Sequence, residues 1–209
     1  MRSISSQFRR VTPIMLISYL LVFLSQLVVI IISTYKNIPL DTFTQDPTQK
    51  MNAPFYIGAF SNIGVMFWSG ATVLCLFTAY IVRERFNNNT DFKFLLVSGL
   101  ITLLLAFDDM FLLHEEVLPR YMHIPTNAVI LTYINIFIIY IILFWRKILS
   151  TEFIILLSAF FLLGLSTVID LLPLPMEKDS FLEDAIKLFG IVSWFIYFCR
   201  YCRQLLRLS

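Results

Sequence analysis

Apolar positions along this chain neither alternate with polar ones nor form a narrow stripe at helical spacing. They come in long runs, each near the roughly 20 residues a helix needs to cross about 30 Å of hydrocarbon. Barrel strands would show apolar and polar residues in alternation, so these runs predict helices. Six are expected, running from about Val11 to Ser33, Phe55 to Val82, Phe94 to Val117, Asn127 to Trp145, Phe153 to Leu172 and Phe181 to Cys202. The longest connection, Thr34 to Pro54, is polar, and no internal repeat divides the chain. The pattern predicts one all-α domain over residues 1–209, a polytopic membrane helix bundle with six transmembrane helices.

Composition agrees. Of 209 residues, 58% are apolar and 14% charged, with mean hydropathy +0.80, against about 45–50% and about 25% in soluble domains. That excludes an ordinary soluble enzyme and a disordered tail, and without a basic stripe no nucleic-acid partner is expected. The lipid bilayer is the expected surrounding.

Charge then orients the chain. With the N-terminus inside, eleven of the sixteen basic residues fall on the inner side, and eleven of the fourteen acids fall outside or in outer half-helices. The formal charge of +2 thus conceals an inner side at net +8 and an outer side at net −6. This positive-inside bias predicts cytoplasmic N- and C-termini in a plasma-type cell membrane. The first span follows Phe8-Arg9-Arg10, and its long apolar run with no small-x-small site before Lys36 reads as a retained signal anchor. The three cysteines, Cys75, Cys199 and Cys202, imply no disulfide; the last two form half of a zinc site at most.

Candidate chemistry lies where ionisable residues interrupt the apolar runs. A charge at mid-bilayer costs about 2.5–3.5 kcal/mol on insertion scales, so such residues face a protein interior or a water-filled cavity. Three expected helices carry them, always toward the outside. The third contains Asp108, Asp109, His114, Glu115 and Glu116. At 100° per residue, Asp108 aligns with Glu115 and Asp109 with Glu116, Ser98 and Thr102 continue the Asp109 line inward, and His114 points a quarter turn or more from all four acids. Two adjacent buried carboxylates cannot both ionise cheaply, so one is expected to be protonated, cation-bound or paired with a base. Glu115 and Glu116 also fit a solvated interface.

The fifth helix adds Ser166 and Asp170 on one face, with Asp170 open to reading as a solvated helix end. The sixth opens with Ser180 and Glu183 at capping-box spacing, and acids in a first turn suit the helix dipole, which half explains Glu183 and Asp184. Lys187, a turn or more further in, either snorkels outward or supplies the counter-charge to Asp108 or Asp109. On the second helix Ser61, Asn62, Ser69 and Thr72 share one face; such residues commonly serve close packing, and Asn62 is the one expected at the same cavity. Trp68 is read as a bilayer or packing residue.

The set Asp108, Asp109, His114, Glu115, Asp170, Glu183 and Asp184 is oxygen-rich and suits a divalent cation such as Mg²⁺, Ca²⁺ or Mn²⁺, or protons, with Lys187, Asn62, Ser61 and Ser166 around it. A cation or proton site for transport or sensing is the first expectation. An intramembrane metal-dependent lipid hydrolase is the second. Asp108-Asp109 after a span that starts with Ser61-Asn62 resembles the alkaline ceramidase and adiponectin-receptor group, whose zinc ligands are histidines. This chain departs from that group, with only His114 and His123 and no histidine in its last span. The Asp-Asp-x-Phe-x-x-His-Glu helix from Asp108 to Glu115 and the Leu-Glu-Asp-x-x-Lys-x-x-Gly opening from Leu182 to Gly190 resemble bacterial multi-pass proteins familiar from cyanobacteria, a resemblance that implies no activity. A non-catalytic scaffold with a buried ionic lock is the third reading. A second copy or another membrane protein is the kind of protein partner such a bundle would take.

Overall fold

The structure is a computed structural model describing residues 4–44, 47–54, 56–86, 89–171 and 176–207. Its helices are α1 (Ile4–Lys36), two single turns α2 (Asp41–Thr44) and α3 (Pro47–Lys50), then α4 (Ala59–Phe86), α5 (Asn89–Phe111), a π-helical segment (Leu113–Tyr121), α6 (Thr126–Leu149), α7 (Phe153–Leu171) and α8 (Met176–Arg207). Two compact units result, residues 1–57 and 58–209.

The first unit is dominated by α1, whose end has a clear local cause. Asn37 takes a left-handed conformation (φ 53°), and the Ile38 N–H reaches back to the Ser33 carbonyl at 3.0 Å. That is the six-residue closure that caps a helix once an Asn or Gly can turn the chain. The Ser33 hydroxyl donates to the Ile38 carbonyl at 2.7 Å and tightens the same corner.

The second unit is built on three seams of residues three and four apart. On α4, Trp68, Ala71, Thr72, Cys75, Ala79 and Val82 are buried; on α8, Ile191, Trp194, Tyr197, Phe198, Tyr201 and Cys202. On α5 the buried line runs from Asp91 through Phe94, Ser98 and Thr102 to Asp108. Small residues let these helices approach closely, as expected where lipid is as apolar as the side chains. A Cβ on Gly99 of α5 would stand 2.6 Å from Leu76 Cδ2, and one on Gly190 of α8 would stand 3.1 Å from the Leu163 backbone nitrogen of α7. At the centre sits Trp194, fully buried, within 5.2–6.1 Å (ring centroids) of Trp68, Phe137, Phe160 and Phe198.

Among the described residues, five helices are long and apolar enough to cross a membrane: Tyr19–Lys36, Ala59–Arg85, Asn89–Phe111, Thr126–Leu149 and Phe153–Asp170. Their large apolar side chains stand exposed, Leu131 and Ile142 on α6 and Ile154 and Phe161 on α7 among them. Such a surface belongs in lipid, and the protein is a multi-pass membrane protein. The expected sixth stretch is helical as α8, but Glu183, Asp184 and Lys187 at one end and Arg200 at the other confine its charge-free run to Leu188–Cys199, and α8 is not among the five.

The expected third span does not run to Val117 as one α-helix, which is a correction. The α-helix stops at Phe111, because Leu112 turns left-handed (φ 51°, ψ 48°) and the chain continues as a π-helix. Past that residue the 100° rule no longer applies.

Candidate functional site

That break in α5 builds the site. Asp108 and Asp109 occupy the last α-helical turn with side chains only 5% and 9% exposed. Reversal at Leu112 folds the following turn back over them. The His114 backbone N–H then donates to Asp108 Oδ1 at 3.0 Å, and His114 Nδ1 lies 2.6 Å from Asp108 Oδ2. The expectation that His114 points away from every acid is therefore overturned: it is the partner of Asp108. The expected alignments of Asp108 with Glu115 and Asp109 with Glu116 lapse for the same reason. Tyr133 of α6 completes the set, its hydroxyl donating to Asp108 Oδ1 at 2.8 Å. An ionised carboxylate only accepts, so the imidazole proton belongs on Nδ1, leaving Nε2 3.4 Å from Glu115 Oε1. Asp108, His114 and Tyr133 thus form one hydrogen-bonded set, with Glu115 beside the second imidazole nitrogen.

Asp109 has a separate cage. Lys187 of α8 reaches Asp109 Oδ1 at 2.7 Å, and the Trp68 indole N–H of α4 donates to Oδ2 at 2.8 Å. Of the two expectations for Lys187, counter-charge rather than snorkelling is what the geometry shows. Two neighbouring carboxylates thus avoid each other by facing different helices, each with its own cationic or ionisable partner.

The remaining candidates sort by place. Asp170, Glu183 and Ser166 line the same cavity as both aspartates, His114 and Lys187. The Ser166 hydroxyl is already tied to the Leu163 carbonyl at 3.2 Å. Ser61 and Asp184 line a small recess of about 20 Å³ behind Asp109 and Lys187, near the volume of one water. Asn62 is exposed and lines neither space, so the expectation that it joins the cavity is not met. Glu116 pairs with Arg120 at 3.0 Å on the surface. The Ser180–Glu183 capping box involves a side chain outside the described residues. Among the described residues, no three His, Cys, Asp or Glu side chains converge as metal ligands.

The cavity holds about 480 Å³ and lies between α6 and α7. One wall is Ile130, Ile134 and Ile138 of α6; the other is Leu163, Gly164 and Val168 of α7. Phe137 and Phe160 also line it and meet edge to face at 5.6 Å, both against Trp194. Ile134, Ile138 and Val168 are about half exposed, so the space opens sideways between the two helices.

Three contributors were missed in the sequence. Trp68 and Tyr133 carry a single polar atom each on otherwise apolar faces, a signal too common in membrane helices to single out. Asp91 was set outside the third span, yet it is 4% exposed at the opposite end of α5, paired with Lys147 of α6 and accepting the Tyr201 hydroxyl of α8 at 2.7 Å. Glu152 and Arg200 pair through both carboxylate oxygens, which holds the Glu152 carboxyl below its usual value.

The family model described as Domain of unknown function (DUF8692) matches residues 15–201. No curated protein and no solved structure matches the chain.

Proposed function

The chain belongs to the DUF8692 family, and we propose that it is a six-span protein of the cell membrane with cytoplasmic termini and a proton-binding sensor site in its outer half. α8 is the sixth span in this reading, with Glu183 and Asp184 in the outer interface and Arg200, Arg203 and Arg207 in the inner one. The observation that carries the proposal is the contact between His114 Nδ1 and Asp108 Oδ2 at 2.6 Å, with Nε2 turned to Glu115. Histidine is the side chain whose ordinary titration falls within physiological pH. Here it can take its second proton on Nε2 without losing the Asp108 bond, and gains a second carboxylate when it does.

Sensing is favoured over transport by what lies below the site. Ser98 bonds Tyr140 at 2.8 Å and Thr102 accepts from the Trp194 indole at 3.0 Å, so the polar line inward is closed into side-chain pairs rather than opened to water. The Asp109–Lys187 pair supports the ionic-lock reading for its own half of the site: a fixed charge pair that sets the register of α5 against α8 while His114 takes and releases its proton.

With two histidines in the chain, the test is direct. In ¹³C,¹⁵N-histidine spectra of the reconstituted protein, one set of signals should keep its proton on Nδ1, titrate at Nε2, and disappear in His114→Gln. Its midpoint should move in Asp108→Asn. A His114 ring that never titrates, or titrates identically without the Asp108 carboxylate, would end the proposal.

A further inference from the structure

The cleft between α6 and α7 joins two chemistries. Ile130 to Ile141, both on its wall, spans about 16 Å of helix at 1.5 Å per residue. That matches an extended alkyl chain of roughly a dozen carbons, each adding a little less than a ~1.5 Å bond. Its volume of about 480 Å³ falls within the roughly 300–1,000 Å³ of small-molecule sites. The apolar walls lead to a charged end, where the sign is decided. Asp108, Asp109, Asp170 and Glu183 line the cleft there, against Lys187 and His114. Lys187 and His114 are already engaged by Asp109 and Asp108. Among the described residues, Asp170 and Glu183 have no basic group at ion-pair distance. A ligand that complements this space has one apolar tail and a positively charged head.

We propose that the α6–α7 cleft is a binding site for a single-chain alkylammonium amphiphile, which enters sideways from the bilayer, lays its tail between the Ile134 and Val168 walls, and places its ammonium head between Asp170 and Glu183. The site stands on the cleft and on two carboxylates that the proton-sensing pair does not use, so either proposal can fail without the other.

Gly164 gives a clean way to close the cleft. It lines the wall, and a Cβ there meets nothing within 4 Å, so Gly164→Phe grows into the ligand space rather than into the protein. Trp68 also lines the cleft and serves as the reporter. The full chain carrying Trp145→Phe, which removes an exposed lipid-facing indole, is placed in phosphatidylcholine nanodiscs. It is titrated with a tail-brominated primary alkylamine, and with the alcohol and the carboxylic acid of equal length. The amine should quench saturably at roughly tenfold lower concentration than the alcohol or the acid, a difference of one good charge interaction. Asp170→Asn with Glu183→Gln should erase that advantage, and Gly164→Phe should erase saturable quenching altogether, each with the melting temperature retained. Equal quenching by amine and alcohol would overturn the proposal. So would tightest quenching by the acid, which would make Lys187 the selecting group, or quenching untouched by Gly164→Phe. If the double variant fails to fold, the Gly164→Phe result decides.

Discussion

Replacing Lys187 by Met removes one charge and leaves the other in place, which makes the Asp109 cage the most informative point to perturb. The Asp109 side chain is 9% exposed, and its Oδ1 has Lys187 at 2.7 Å as its cationic partner. Breaking a buried pair by deleting one partner typically costs about 3–5 kcal/mol, because an uncompensated charge remains. Lys187 is 27% exposed, so some water reaches the pair and about 3 kcal/mol is the reasonable magnitude. Removing both charges is different: Asp109→Asn keeps an acceptor for the Trp68 indole, so Lys187→Met with Asp109→Asn should lie within about 1 kcal/mol of the parent. The resulting coupling, about 2 kcal/mol or more, is at the large end for contacting residues. Asp109→Leu would be the poorer partner, since it leaves a buried indole N–H without an acceptor. Reversible unfolding in mixed detergent micelles measures all the required differences. If the two substitutions simply add, Lys187 does not compensate Asp109 and the lock does not exist.

Three other perturbations test separate parts of the structure. Tyr133→Phe removes one of the donors on Asp108 (2.8 Å) and should cost about 0.5–1.5 kcal/mol in the same assay; an unchanged stability would mean that α6 is not held there. Gly99→Ala and Gly164→Ala are the same substitution in opposite surroundings, a Cβ at 2.6 Å from Leu76 against one in open space. The first should destabilise by about 1–3 kcal/mol through overpacking and the second should stabilise by about 0.5–1 kcal/mol through helix propensity, with thermal melts of the two giving opposite signs. Glu152 has its carboxyl depressed by Arg200, so its contribution is present above the ordinary carboxylate value and is lost as pH falls through the lowered folded value; Glu152→Gln should flatten that acid-side slope of stability against pH, and a slope identical to the parent's would refute the pairing.

The helices and the depth of the ionic cluster were legible because lipid imposes long apolar runs and makes every interruption conspicuous. Asp109 with Lys187 is a case in point: both residues break an apolar run at one end of the bundle, and opposite charges at equal depth have few other partners. His114 with Asp108 was illegible for a definite reason. The wheel assumes continuous α-helix, and one left-handed residue, Leu112, abolishes that assumption. Nothing marks a leucine as a residue with positive φ, since the conformation is ordinarily left to Gly, Asn or Asp. Asp91 was hidden differently. It lies three residues before the apolar run taken to begin at Phe94, so its burial depends on Lys147 and Tyr201 arriving from elsewhere in the chain.

The same contacts explain how α6 is held at all. It buries only Val129 and Tyr140, and it opens a cleft toward α7 instead of packing along it. Three polar ties fasten it to α5 at successive depths: Tyr133 to Asp108, Tyr140 to Ser98, and Lys147 to Asp91. In water such a helix would be secured by its apolar face; in lipid that face gains little from leaving the solvent, and hydrogen bonds and close contacts must do the holding. The buried polar groups of α5 are therefore the attachment of α6 as well as a site. Because Asp108 serves both His114 and Tyr133, a change in the charge of that pair is felt directly by the helix that forms one wall of the cleft.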